Sequence, residues 1–94
     1  RTRVVAFTHC SNVVGSLHAV REITDLVHRA GAWAFVDGVA AAPHGLPDVR
    51  ELGADAYYFS LYKVYGPHLG TMFLSAAVNA ALPNQGHFFN AALP

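Results

Sequence analysis

Lys63 is the only lysine in the chain. It follows directly on a short apolar and aromatic run, Ala56 to Ser60, and precedes the turn residues Gly66 and Pro67. Such a run between turn signals reads as a buried strand. Lys63 therefore stands just beyond a strand's carboxyl end, which is where open α/β sheets bind ligands. A lysine amine in such a place can form a Schiff base with a carbonyl if the site lowers its pKa. Asp37 is the second anchor. It follows the apolar run Ala32 to Val36, again at a strand's carboxyl end, where a carboxylate is costly without a partner. Aspartate in an Asp-Gly pair commonly bonds its own backbone. A chemical role requires a cationic or protonated partner instead. If the strands ending at Asp37 and Ser60 are neighbours, both groups face one crevice.

The elements that would position these residues follow from pattern. Val4 to Thr8 is apolar, rich in β-branched and aromatic residues, and reads as a strand. After the polar loop from His9 to Asn12, Ser16 is a candidate N-cap, and a helix is expected from about Leu17 to Ala30. Leu17, Val20, Ile23, Val27 and Ala30 recur at helical spacing, and Gly31 supplies the stop. Ala32 to Val36 is a second strand. Pro47 can open a short helix over the sequence D-V-R-E-L, closed by Gly53. Ala56 to Ser60 is the third strand and Thr71 to Leu74 the fourth, with Ser75 capping a short helix to about Leu82. His87 to Pro94 is open between strand and loop. Strand, helix, strand, helix, strand is the pattern of an α/β fold with a mostly parallel sheet of about four strands and crossover helices.

Composition narrows the partners. Of 94 residues, 53% are hydrophobic and 13% charged, which excludes disorder and points to elements buried on both faces. The formal net charge is zero, so nothing favours nucleic acid or an anionic membrane surface. No apolar run reaches transmembrane length. The single cysteine, Cys10, excludes an intramolecular disulfide and is in keeping with a reducing, cytoplasmic setting. Both ends look cut, as expected of a fragment of a longer protein.

One protonated partner suits Asp37 well. A carboxylate beside the pyridine nitrogen of pyridoxal 5'-phosphate keeps that ring protonated and strengthens it as an electron sink. V-D-G at 36–38, F-S-x-x-K at 59–63 and Y-G-P at 65–67 together resemble the class V aminotransferase family. This is the cysteine desulfurase-like branch of the fold-type I pyridoxal-phosphate enzymes. S-N-V-V-G at 11–15, D-L-V-H-R-A-G-A-W-A-F-V-D-G at 25–38 and P-D-V-R-E-L-G-A-D at 47–55 extend the resemblance over roughly residues 3 to 75. The resemblance implies the central part of a large domain, its neighbouring strands in order and the last one antiparallel, with the N-terminal part and the small C-terminal domain lying elsewhere. It implies that Lys63 holds the cofactor covalently and shuttles protons at the substrate's α-carbon. Asp37 would pair with the pyridine nitrogen and Val39 would pack on the ring face. Ser60 would donate to the phosphate, and Asn12 would lie beside the ring hydroxyl or the substrate carboxylate. It also implies an amino-acid substrate and a homodimer.

Two positions depart from the family. Ala40 stands where a glutamine usually bonds the ring hydroxyl, and Tyr62 where a histidine often touches the phosphate. A tyrosine hydroxyl still donates a hydrogen bond; alanine offers none. The phosphate-holding loop, the ring-stacking aromatic and the carboxylate-binding arginine of such enzymes have no counterpart in these residues, and Cys10 reads as packing. Six histidines occur without zinc-motif spacing. His18 and His28 read as helix-surface residues, and His44 and His68 as turn residues. His87-Phe88-Phe89 reads as buried packing or a dimer or domain contact. The alternative to an enzyme is a catalytically incomplete remnant that folds or associates. An unrelated binding module would need Lys63 and Asp37 to point apart.

Overall fold

Four short strands lie side by side in the order of the chain: β1 (Val4–Thr8), β2 (Trp33–Asp37), β3 (Ala56–Ser60) and β4 (Gly70–Leu74). The computed structural model describes residues 1–83 and 86. β1, β2 and β3 run parallel, and β4 returns antiparallel to β3. The sheet is thus mostly parallel, as the pattern of elements predicts. Its register sets Thr8 beside Asp37 and Asp37 beside Tyr58. The tail from His87 and its aromatic pair lie outside the described residues.

Helix α1 (Val20–Arg29) and the single turn α2 (Val49–Leu52) cover one face of the sheet. Val20 and Val27 pack there with Ala34, Val36 and Tyr57, all at most 7% exposed. On the opposite face Val4, Ala6 and Met72 are exposed and Trp33, Phe35 and Tyr58 only half-buried. The expectation of burial on both faces therefore holds for one face of these residues. α2 closes at Gly53 as expected, in the left-handed conformation at φ 68°, but it starts at Val49 and is not opened by Pro47: Asp48 is its cap, accepting hydrogen bonds from the amides of Arg50 and Glu51 at 2.9 and 3.2 Å. Ser75 likewise caps α3 (Ala76–Ala81) through the amide of Val78.

α1 departs from expectation at its start. It begins at Val20, and Ser16 caps nothing. The Ser16 carbonyl instead accepts the Ser11 amide at 2.9 Å, and Cys10 bridges to Leu17, so residues 11–18 fold back as a loop. Leu17 is consequently 71% exposed and off the stripe. The stripe is completed by Thr24, fully buried, whose hydroxyl lies 2.7 Å from the Leu52 carbonyl and 2.9 Å from that of Arg21. A buried hydroxyl is tolerated because it is bonded, and here the bond ties α1 to α2. β2 is shifted by one residue from the expected span, because the Ala32 amide still serves the helix end, bonding the Val27 carbonyl. The shift makes Asp37 the last residue of the strand.

Candidate active site

Three parallel strands ending together bring their following loops to one end of the sheet. The β1 loop carries Asn12, β2 ends on Asp37, and β3 runs into a 3-10 turn, Leu61–Val64, that carries Lys63. That turn is held at its base by the Leu61 amide on the Leu69 carbonyl, 2.8 Å, and at its end by the Gly66 amide on the Leu61 carbonyl, 2.8 Å. A side chain at Gly66 would stand 2.9 Å from Leu61 Cβ, so the tight return requires glycine. Tyr65, just before it, adopts the left-handed conformation at φ 65° and is fully exposed.

Between these loops lies an open cleft of about 180 Å³. Lys63 and Asp37 both line it, with Asn12, Val39 and Ala40. Thr8 and Cys10 complete its wall. The Oδ1 of Asp37 accepts the Val39 amide at 2.9 Å, the local turn bond common to Asp-Gly. Among the described residues its Oδ2 accepts no hydrogen bond, and the Lys63 amine has neither a hydrogen bond nor an ion pair. An anion and a cation thus share one cleft without neutralising each other. Ala40 presents only a methyl group to the cleft.

Ser60 and Tyr62 lie outside the lining of this cleft. Ser60 ends β3, half-buried, and Tyr62 is exposed with its ring stacked on His68, centroids 5.0 Å apart and planes 9° apart. Cys10 is buried, as its packing role anticipates, and its thiol points to the Ser11 carbonyl at 3.6 Å. His44 borders a separate apolar cavity with Cys10, Gly15, Leu17 and Ala41. His18 precedes α1 rather than lying on it, and its Nδ1 is 2.7 Å from the Thr8 carbonyl. His28 is on α1, with its Nε2 2.7 Å from Asp55.

Two features of the site escape the sequence. Thr8 reaches the cleft because its register partner is Asp37, a pairing that strand alternation would have revealed once the neighbours were known. Beneath the Asp37 turn, His9 Nδ1 meets the Tyr57 hydroxyl at 2.9 Å. Burial first, and the Asp37 carboxylate second, push the Tyr57 phenol above its ordinary pKa, and the same two causes act on Tyr58. Burial, then the charge of His18, hold the His9 imidazole below its ordinary value. Near neutral pH the pair is therefore a contact between two uncharged groups.

The family model described as aminotransferase class-V matches residues 1–85. The chain belongs to this family. Among curated relatives, an aminotransferase-like protein of Gibberella zeae is 55% identical over 91 residues, covering 96% of this chain and 23% of the relative. A cysteine desulfurase-like protein of Aspergillus flavus is 48% identical over 91 residues, covering 95% of this chain and 21% of the relative. The fold matches the crystal structure of the cysteine desulfurase CsdA of Escherichia coli with a TM-score of 0.79 and 34% identity, over 83% of this chain and 20% of that one. The chain therefore spans about a fifth to a quarter of the length of these proteins. Membership removes the reading as an unrelated binding module, as does the cleft that Lys63 and Asp37 share.

Proposed function

We propose that these residues form the cofactor-binding core of a pyridoxal-phosphate-dependent enzyme that transforms an amino acid. The observation that carries this is the pairing of an unengaged lysine and a half-engaged aspartate across one cleft. The donor set fits the group: Asp37 keeps Oδ2 available for a protonated ring nitrogen, and Val39 and Thr8 offer a wall against a flat ring. Pyridoxal phosphate, when bound, supplies a carbonyl carbon for amines and a protonated ring that draws electrons from the α-carbon.

Lys63 would hold the cofactor through its amine, and the same amine is placed to move the proton at the substrate's α-carbon. Asp37 keeps the ring nitrogen protonated by facing it with a carboxylate. Asn12 orients the ring hydroxyl or the substrate carboxylate, and Ser60 and Tyr62 donate to the phosphate from beyond the cleft wall. Ala40 leaves the ring hydroxyl without its usual donor, which alters how firmly the ring is held rather than whether it binds. Desulfurase names among the relatives make cysteine the first substrate to test. The proposal includes a homodimer and a cytoplasmic setting in which Cys10 stays reduced.

A second reading, a catalytically incomplete core acting as a folded or interaction module, is favoured by one observation: no arginine lines the cleft among the described residues. The test is addition of pyridoxal phosphate to the full-length protein, then borohydride reduction and peptide mapping. The expected result is a visible absorption band and a reduced label on Lys63, both lost in Lys63→Ala. A folded sample with no label at Lys63 overturns the proposal. A label without turnover of any amino acid favours the second reading.

A further inference from the structure

Tyr57 is 1% exposed and sits directly beneath the turn that carries Asp37. A Cβ at Gly38 would stand 2.1 Å from Tyr57 Cε1 and 2.3 Å from its hydroxyl oxygen, so the Gly38 backbone rests on the phenol itself. The hydroxyl is held in turn by His9 at 2.9 Å, with the two rings edge to face at 84°. His9 also donates its backbone N–H to the Asp37 carbonyl at 2.7 Å, and the Gly38 N–H donates to the Tyr58 carbonyl at 2.9 Å. Asp37 is therefore gripped from both neighbouring strands, and the His9–Tyr57 bond joins those two strands across β2.

Packing alone does not require this arrangement. A phenylalanine would fill the same space, and a buried hydroxyl is costly unless it is bonded. The hydroxyl does not line the cleft, so it touches no reacting group. What the bond fixes is the position of the ring under Gly38, and through Gly38 the direction of the Asp37 carboxylate.

We infer that Tyr57 and His9 are a positioning pair that aims the Asp37 carboxylate at the cofactor's ring nitrogen. This rests on the pyridoxal-phosphate proposal above, and concerns residues that never touch the cofactor. Coupling through Asp37 is the signature of positioning, and a double-mutant cycle isolates it. In the full-length protein, Tyr57→Phe weakens pyridoxal-phosphate affinity by about two- to tenfold, the equivalent of one hydrogen bond. It also displaces the absorption maximum of the bound cofactor in the direction that Asp37→Asn displaces it.

In the Asp37→Asn background the same Tyr57→Phe change leaves both the affinity and the spectrum where they were. His9→Gln, whose amide can still bond the phenol, keeps more of the affinity than His9→Leu. Thermal unfolding of the cofactor-free proteins is followed in parallel, so that a loss of fold is seen as such. Equal weakening by Tyr57→Phe in both backgrounds, or no weakening in either, overturns the inference while leaving the cofactor proposal intact. A wild-type protein that takes no cofactor at Lys63 overturns both.

Discussion

Two aspartates flank the central strands, Asp37 as the last residue of β2 and Asp55 just before β3, and they are treated in opposite ways. Asp55, at the amino end of β3, is bound on every side. Its Oδ2 accepts the Ala34 amide at 2.9 Å and meets His28 Nε2 at 2.7 Å, and its Oδ1 takes the Ser75 hydroxyl at 3.4 Å. Its backbone carbonyl accepts the Ser75 amide as well. Asp37, at the carboxyl end of β2, accepts a single amide from its own turn. One carboxylate is consumed in joining α1, β2 and the start of α3. The other is held by its backbone and leaves an oxygen facing a cleft. The difference separates a carboxylate that builds the fold from one that the fold presents, though both follow or precede similar apolar runs.

Breaking the built end has the largest effect. Asp55→Ala removes the acceptor of the buried Ala34 amide together with the His28 and Ser75 contacts, and is expected to cost about 2–4 kcal/mol of stability. Urea unfolding of the full-length protein measures this, and the fraction still folded should bind cofactor with unchanged affinity. Asp37→Asn sharpens the contrast. Asparagine's carbonyl oxygen can still accept the Val39 amide, so stability should move by less than about 1 kcal/mol. Pyridoxal-phosphate affinity should fall about tenfold or more, because a charged hydrogen bond is lost. Equal losses of stability in the two variants would erase the distinction.

The smallest effect lies in acid. Burial holds His9 below its ordinary value, so the unfolded chain takes up the proton first as pH falls. Stability is then whole above about 6.5 and is lost as pH drops from there to the folded value of His9, below which the loss stays constant. His9→Gln should flatten the stability profile across that window. An unchanged slope would show that the acid sensitivity arises elsewhere.

Much of the fold was legible because the strands announce themselves. Ala56 to Ser60 is an unbroken apolar and aromatic run between Gly53 and the Lys63 turn, and β3 has the bounds expected of it. Gly53 and Ser75 act through contacts a few residues away, which is why the stop of α2 and the cap of α3 read directly from sequence, whereas Asp48, which the pattern puts inside α2, instead caps it. The start of α1 did not, because Ser16 satisfies every local preference for a cap and is overruled by a fold-back that engages its carbonyl. Thr24 was hidden for a similar reason: its burial depends on a carbonyl in α2, far along the chain. Asp37 and Lys63 were legible from the strand-end rule. The His9–Tyr57 contact joins residues 48 positions apart and leaves no local trace. Nor does composition reveal that Val4, Ala6 and Met72 lie on a face these residues leave uncovered.

Strand order that equals chain order also bears on how the segment is made. Among these four strands, each one emerging from a ribosome finds its partner already synthesised. Assembly can then proceed from the amino-terminal side, one pairing at a time. Thr8 and Asn12 arrive first, Asp37 docks beside them, and the short β3–β4 connection brings in the lysine last. Of the residues that line the cleft, Lys63 is thus the last to be synthesised, and it reaches a wall that Thr8, Asn12 and Asp37 have already supplied.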